Sequence, residues 1–147
     1  MSTVRLVVLL VCASILFPYQ AAAQQPLPAF DQGRVYLTAA QFQRAIDPYQ
    51  AAIRADARNA RAHYWLGFAY LFAYRQSRVG VAPYAADFLP RALASLREAV
   101  RLDAGFVPAT LALHDALVLA EAHEEADALI RGLFQRIRPA GLPHTLP

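Results

Sequence analysis

The segment ARAHYWLGFAY (residues 60–70) decides the fold, together with the later segment ALASLREAVRLD (residues 92–103). In both segments apolar residues recur three or four positions apart, which is the pattern of an amphipathic helix. Neither helix can bury its apolar face alone, so each one needs helical neighbours. The sequence therefore predicts an all-α fold in which five or six helices form antiparallel hairpins and stack side by side.

Residues 1–23 have the composition of a secretory signal peptide. Arg5 supplies a positive start, residues 6–17 form an apolar run, and residues 21–23 are three alanines suited to cleavage. The apolar run is shorter than the roughly 20 residues that cross a bilayer. We therefore expect cleavage after Ala23, a periplasmic or secreted chain, and no stable membrane span after cleavage.

Two alternatives to simple cleavage stay open, namely a retained N-terminal anchor and lipidation at Cys12, where Leu9-Leu10-Val11 resembles part of a lipobox. Cleavage would remove the only cysteine, which suits an oxidising compartment. It would also lower the formal net charge from +3 to +2, because Arg5 would be lost. The basic residues are spread along the chain without a dense stripe, so we expect no nucleic-acid partner.

The rest of the chain divides at its prolines and glycines. Residues 24–32, with Pro26 and Pro28, predict an extended lead-in. A helical pattern follows from Gly33 to Ala57, and Pro48 within it predicts a kink or short break. Four further helices are predicted: one from an N-cap at Asn59 to about Tyr74, and three over 92–102, 107–120 and 123–137. Residues 75–90 are predicted to form a loop with a short helical turn that folds back onto the stack. Residues 139–147 are predicted to form a proline-rich tail.

Three of these helices repeat a pattern of Ala, a large residue four positions later, and Ala or Leu three positions after that, and the small residues let paired helices approach closely. The three sets are Ala45/Tyr49/Ala52, Ala92/Leu96/Ala99 and Ala126/Ile130/Leu133.

The aromatic segment resembles the tetratricopeptide repeat, a unit of about 34 residues. Leu66-Gly67…Tyr70 carries the first-helix signature of that family, preceded by the aromatic pair Tyr64-Trp65. Gly33 and Tyr36 lie 34 positions before Gly67 and Tyr70, which indicates a first repeat. The prolines would leave the leading helix of that repeat short. The resemblance covers about 33–138 and implies a short right-handed solenoid of repeats at about 33–57, 60–103 with the insertion 75–90, and 107–138.

The resemblance also implies a concave surface, lined by the leading helices, that takes a segment of a partner protein. Family members that grip a terminal carboxylate use Lys and Asn there, whereas this chain has Tyr64 and Phe68. An apolar or proline-containing segment is therefore the expected ligand. Alternatively, the insertion covers these aromatics with Tyr84 and Phe88. The positions carried over to the concave surface are Arg61, Tyr64, Phe68 and Leu71 in the middle repeat, and Leu111, Asp115 and Val118 in the third.

The residues offer little for catalysis. His123 and Asp127 lie four apart with glutamates nearby, but a zinc site needs three or four convergent ligands, and the His-Glu-x-x-His pattern does not occur. We therefore expect no enzyme activity, metal or cofactor. The expected function is that of an adaptor or assembly factor in the cell envelope. The alternative is a structural subunit that pairs with its own copy through an uncapped last helix.

Overall fold

The computed structural model describes residues 26–137, which form an all-α stack without strands in that range, as the sequence predicted. The signal peptide, Cys12, the start of the lead-in and the tail at 139–147 lie outside the described residues. Five α-helices make up the stack: α1 (Ala39–Ala55), α2 (Ala60–Arg78), α3 (Leu89–Leu102), α4 (Val107–Leu119) and α5 (His123–Ile137), with a 3₁₀ turn at Pro83–Ala85 between α2 and α3.

Short turns join most consecutive helices, so neighbours pack as antiparallel hairpins. The most extensive packing is between α2 and α3, and α2 also contacts α1 and, across the stack, α4. Because α2 and α4 touch although α3 lies between them in sequence, alternate helices share one side of the molecule. This is the arrangement of a repeat solenoid.

The first helix starts later than its periodicity suggested. Gly33 was the expected start, but α1 begins at Ala39, where Thr38 and Gln41 form a capping box. The Thr38 hydroxyl accepts from the backbone N–H of Gln41 at 3.2 Å, and this reciprocal cap fixes the boundary. The short leading helix expected for the first repeat does not form, because residues 26–38 contain no helix.

Proline does not break α1. The helix is continuous through Pro48, which is exposed, so solvent can hydrogen-bond the carbonyl that loses its N–H partner. The N-cap of α2 is the predicted one, since the Asn59 side chain accepts from the N–H of Ala62 at 3.0 Å. The helix then runs four residues beyond Tyr74, to Arg78, and Gly80 turns the chain with a φ of 79°.

The tightest crossing in the stack is that of α2 over α3, and Gly67 lies at its centre. A Cβ atom placed on Gly67 would stand 2.7 Å from the Cγ of Leu96 and 3.0 Å from its backbone nitrogen. Leu96 is fully buried, as are the alanines at 92 and 99 on either side of it. The small residues of the repeat therefore set the distance between the two helices.

Adding a methyl group at this crossing should destabilise the protein. We expect Gly67→Ala to lower the free energy of unfolding by about 1–3 kcal/mol, because Leu96 or the α3 backbone must move. Gly132→Ala in α5 is the matched control, since its nearest new contact is an arginine nitrogen at 3.7 Å. It should raise stability by up to about 1 kcal/mol through helix propensity. Equal denaturation midpoints for the two variants would show that the crossing is not tight.

Candidate functional site

The residues expected on the concave surface lie on α2 and α4 and are buried to different depths. Tyr64 and Phe68 are half-buried, whereas Leu71 keeps only 2% of its surface exposed and belongs to the core. On α4, Leu111 is 49% and Val118 41% exposed. We name as the α2–α4 face the five residues Tyr64, Phe68, Leu111, Asp115 and Val118; Arg61, near the start of α2, is exposed.

An ion pair joins the two helices of this face. The Nη2 of Arg75 donates to the Oδ2 of Asp115 at 3.1 Å, and both side chains are about half exposed. A pair this exposed contributes at most about 1 kcal/mol to stability. The pair places the positive charge of Arg75 and the negative charge of Asp115 at defined positions near the apolar side chains of α4.

Aromatic rings pack together at the α2 side of the face. The ring centroid of Tyr64 lies 5.8 Å from that of Phe68 and 5.1 Å from that of Phe106, with Phe106 edge-on. Phe106 precedes α4 and therefore ties the start of that helix to α2. Burial raises the pKa of Tyr64, which keeps its phenol neutral over a wide pH range.

The insertion does not cover these aromatics, contrary to the alternative considered from the sequence. Tyr84 and Phe88 instead pack against Phe42 of α1, with centroid distances of 6.1 and 5.3 Å. The loop folds back onto the stack as expected, with Ala82 and Ala85 fully buried. Its aromatic residues fill the space between α1 and α2 and leave the α2–α4 face open.

The lead-in covers one edge of α2 instead. We call residues 26–37 the strap; it is not helical, and its Phe30 is only 4% exposed. The Phe30 ring packs edge-on against Phe72 at 5.5 Å and Phe68 at 6.4 Å. Phe68 is therefore shared between the α2–α4 face and the strap.

A hollow of about 320 Å³ lies beside Phe68. Leu71 forms part of its wall, and the side-chain oxygen of Gln76 is buried without a hydrogen-bond partner among the residues that the structure describes. Its lining residues come from the strap and from α2 and its end, namely Gln32, Phe68, Leu71, Phe72, Arg75, Gln76 and Val79.

One histidine approaches an acidic residue, because the Nδ1 of His114 lies 3.7 Å from the Oδ1 of Asp115, but the pair does not form a metal-binding cluster. Within residues 26–137 no group of three or more His, Cys, Asp or Glu side chains is placed to hold a metal ion. His63 lies 3.0 Å from the carbonyl of Ala57 and so closes the turn before α2. In the same range no helix is both long and apolar enough to cross a bilayer.

The fold is that of an all-α repeat protein in which the alternate helices α2 and α4 contact each other. Residues 33–71 match the family model of the tetratricopeptide repeat, so this part of the chain carries that repeat, as its sequence resemblance indicated. No curated protein and no solved structure matched the chain. Proteins built from this repeat typically mediate protein–protein interactions and are not enzymes.

Sequence reasoning missed two aromatic residues at the site, Phe30 and Phe106. Both stand in non-helical segments, where no periodicity marks them for burial. A signal for Phe30 was present, because Leu27 and Phe30 are large apolar residues in the segment 24–32, which the sequence predicted as an extended lead-in. Large apolar residues in a proline-containing segment indicate packing against a neighbour.

Alkaline pH should destabilise the protein through its tyrosines. Burial raises the pKa of Tyr49 to about 12, while an unfolded tyrosine titrates at about 10. The unfolded chain therefore loses this proton first, and the free energy of unfolding should fall as pH rises from about 10 to about 12. In chemical denaturation, Tyr49→Phe should show a shallower fall than the natural chain; equal slopes would contradict the assignment.

Proposed function

We propose that this chain is an exported interaction module that binds an apolar segment of a partner protein on the α2–α4 face and acts as an adaptor or assembly factor in the cell envelope. The observation that supports it is the exposure of two apolar side chains on α4, Leu111 and Val118, which are each more than 40% exposed on a helix that contacts α2. Exposed apolar side chains that cluster on one face are typical of interaction sites.

The chemistry of the face suits binding of an extended or helical segment. Fully burying a leucine or valine side chain is worth about 1.5–3 kcal/mol, so covering the exposed half of Leu111 and Val118 adds roughly 1 kcal/mol each. Tyr64 and Phe68 offer aromatic surface that is already held in place by neighbours. Arg61 and the Arg75–Asp115 pair would orient a charged or polar partner residue at the edges.

Export rests on the signal-like residues 1–23. It predicts that the chain recovered from an envelope fraction begins at Gln24 and lacks Cys12. An intact mass that still includes residues 1–23 would favour the retained anchor, and an added acyl mass at Cys12 would favour lipidation. Intact-mass spectrometry of the purified chain separates the three.

Charged residues on the α2–α4 face should abolish partner capture without unfolding the protein. We expect Leu111→Glu with Val118→Glu to reduce capture from an envelope extract more than tenfold, because two buried carboxylates oppose binding. Both positions are exposed in the free chain, so the denaturation midpoint should change little. Alanine at Tyr64 and Phe68 is a poorer test, because these half-buried rings also support the fold.

The matched control is Phe134→Glu with Ile137→Glu on α5, where the two side chains are 63% and 55% exposed. This pair should leave capture unchanged. If capture survives the charges at Leu111 and Val118 but not those on α5, the proposed face is wrong.

The same α5 residues favour a second candidate function, a structural subunit that self-associates through its last helix. Phe134 and Ile137 lie on the helix that ends the described stack, where a further repeat would pack in a longer array. Sedimentation across a range of concentrations tests this. The structural function would be favoured by a dimer that the two substitutions on α5 disrupt and the two substitutions on α4 leave intact.

A further inference from the structure

The strap stands where a leading helix would stand in a complete first repeat. Tyr36 lies 34 positions before Tyr70, which is one repeat unit, and both tyrosines pack edge-on against a phenylalanine. Tyr36 contacts Phe42 at 6.2 Å and Tyr70 contacts Phe88 at 5.2 Å. The strap thus keeps the tyrosine–phenylalanine contact of the repeat although its backbone is not helical. It therefore lies against α2 in the way that a bound peptide would.

Few interactions hold the strap. Two hydroxyls from the helical part donate to its carbonyls, Tyr49 to Pro28 at 3.0 Å and Tyr84 to Tyr36 at 2.9 Å. Within residues 26–137 no backbone–backbone hydrogen bond joins the strap to a helix, although the backbone N–H of Leu37 donates to the Oε1 of Gln41 at 3.1 Å. Apart from the buried rings of Phe30 and Tyr36 and the half-buried Leu27, its side chains are exposed. Segments with so few buried contacts open at a lower free energy than the core.

The main anchor is an aromatic residue placed two positions after a proline. Pro28 presents its carbonyl to Tyr49, and Phe30 inserts between Phe72 and Tyr36 while touching Phe68. The 320 Å³ hollow adjoins this anchor and extends along α2 to Arg75 and Val79. A longer ligand seated on Phe68 and Phe72 would therefore have room to continue.

We propose that the strap is an internal ligand: it occupies the seat on α2 where a partner protein binds through an extended segment with an aromatic residue two positions after a proline, and the partner displaces it. This rests on the proposed binding function and names the chemistry of the partner. The strap shows which peptide the seat accepts, because Leu27-Pro28-Ala29-Phe30 is itself bound there. Since Phe68 serves both the seat and the α2–α4 face, strap and partner exclude one another.

The test uses a labelled peptide of residues 27–36, LPAFDQGRVY, as the probe. In the natural chain the strap fills the seat, so the peptide should bind weakly. Its apparent affinity is the intrinsic affinity multiplied by the fraction of chains whose seat is empty. In the full chain carrying Phe30→Ala the internal strap is weakened and the seat is not altered. Fluorescence anisotropy should then show peptide binding at least about tenfold tighter than to the natural chain. A peptide in which alanine replaces its own phenylalanine should bind neither chain.

Phe30→Leu is the second variant, because it retains most of the apolar volume and should give a smaller increase. A folded Phe30→Ala chain that does not bind the peptide would overturn the proposal, as would unfolding of both variants, because the strap would then be a permanent part of the core. Concentration-dependent dimers of the natural chain that Phe30→Ala abolishes would also overturn it, in favour of strap exchange between copies. None of these outcomes involves Leu111 or Val118, so they are distinct from a failure of the α2–α4 face.

Discussion

The close approach of α2 to α3 is the constraint on which the rest of the structure depends. Gly67 leaves no space for a side chain against Leu96, so the two helices meet backbone to side chain. With that distance fixed, α1 packs on one side of α2 and α4 contacts it across the stack. The missing Cβ atom at Gly67 and the small residues on α3 thus set the spacing of the two helices on which α1 and α4 pack.

Aromatic packing replaces the helix that the first repeat lacks. Phe42 of α1 contacts Tyr36 from the strap, Tyr70 from α2 and Phe88 from the insertion, with centroid distances of 5.3 to 6.2 Å. Such contacts contribute about 0.5–1.5 kcal/mol each beyond burial and do not require regular backbone. A non-helical strap and a looped insertion can therefore both be bound firmly to the same core residue.

The sequence predicted the helices well because their signals are local and periodic. The starts of α4 and α5 at Val107 and His123 match the expected ones, and Asn59 caps α2 as its position suggested. The errors arose where tertiary contacts or capping decided the outcome. The repeat spacing predicted a helix from Gly33. The capping box at Thr38 instead starts the helix at Ala39. Phe30 was missed because nothing in an aperiodic segment specifies its partner, which lies about 40 residues away.

The strap and the α2–α4 face become one system through Phe68. Its ring lies 6.4 Å from Phe30 and 5.8 Å from Tyr64, so a change on either side alters the surroundings of the other. A repeat array with a full leading helix in its first unit would bury this edge of α2 permanently, with many more contacts than the strap makes. The strap is held by the rings of Phe30 and Tyr36, by Leu27, by two tyrosine hydroxyls and by the hydrogen bond from the Leu37 N–H to Gln41. The first repeat departs from the family pattern because it lacks a leading helix, and the small number of contacts that the strap makes in its place makes a reversible contact with α2 physically feasible.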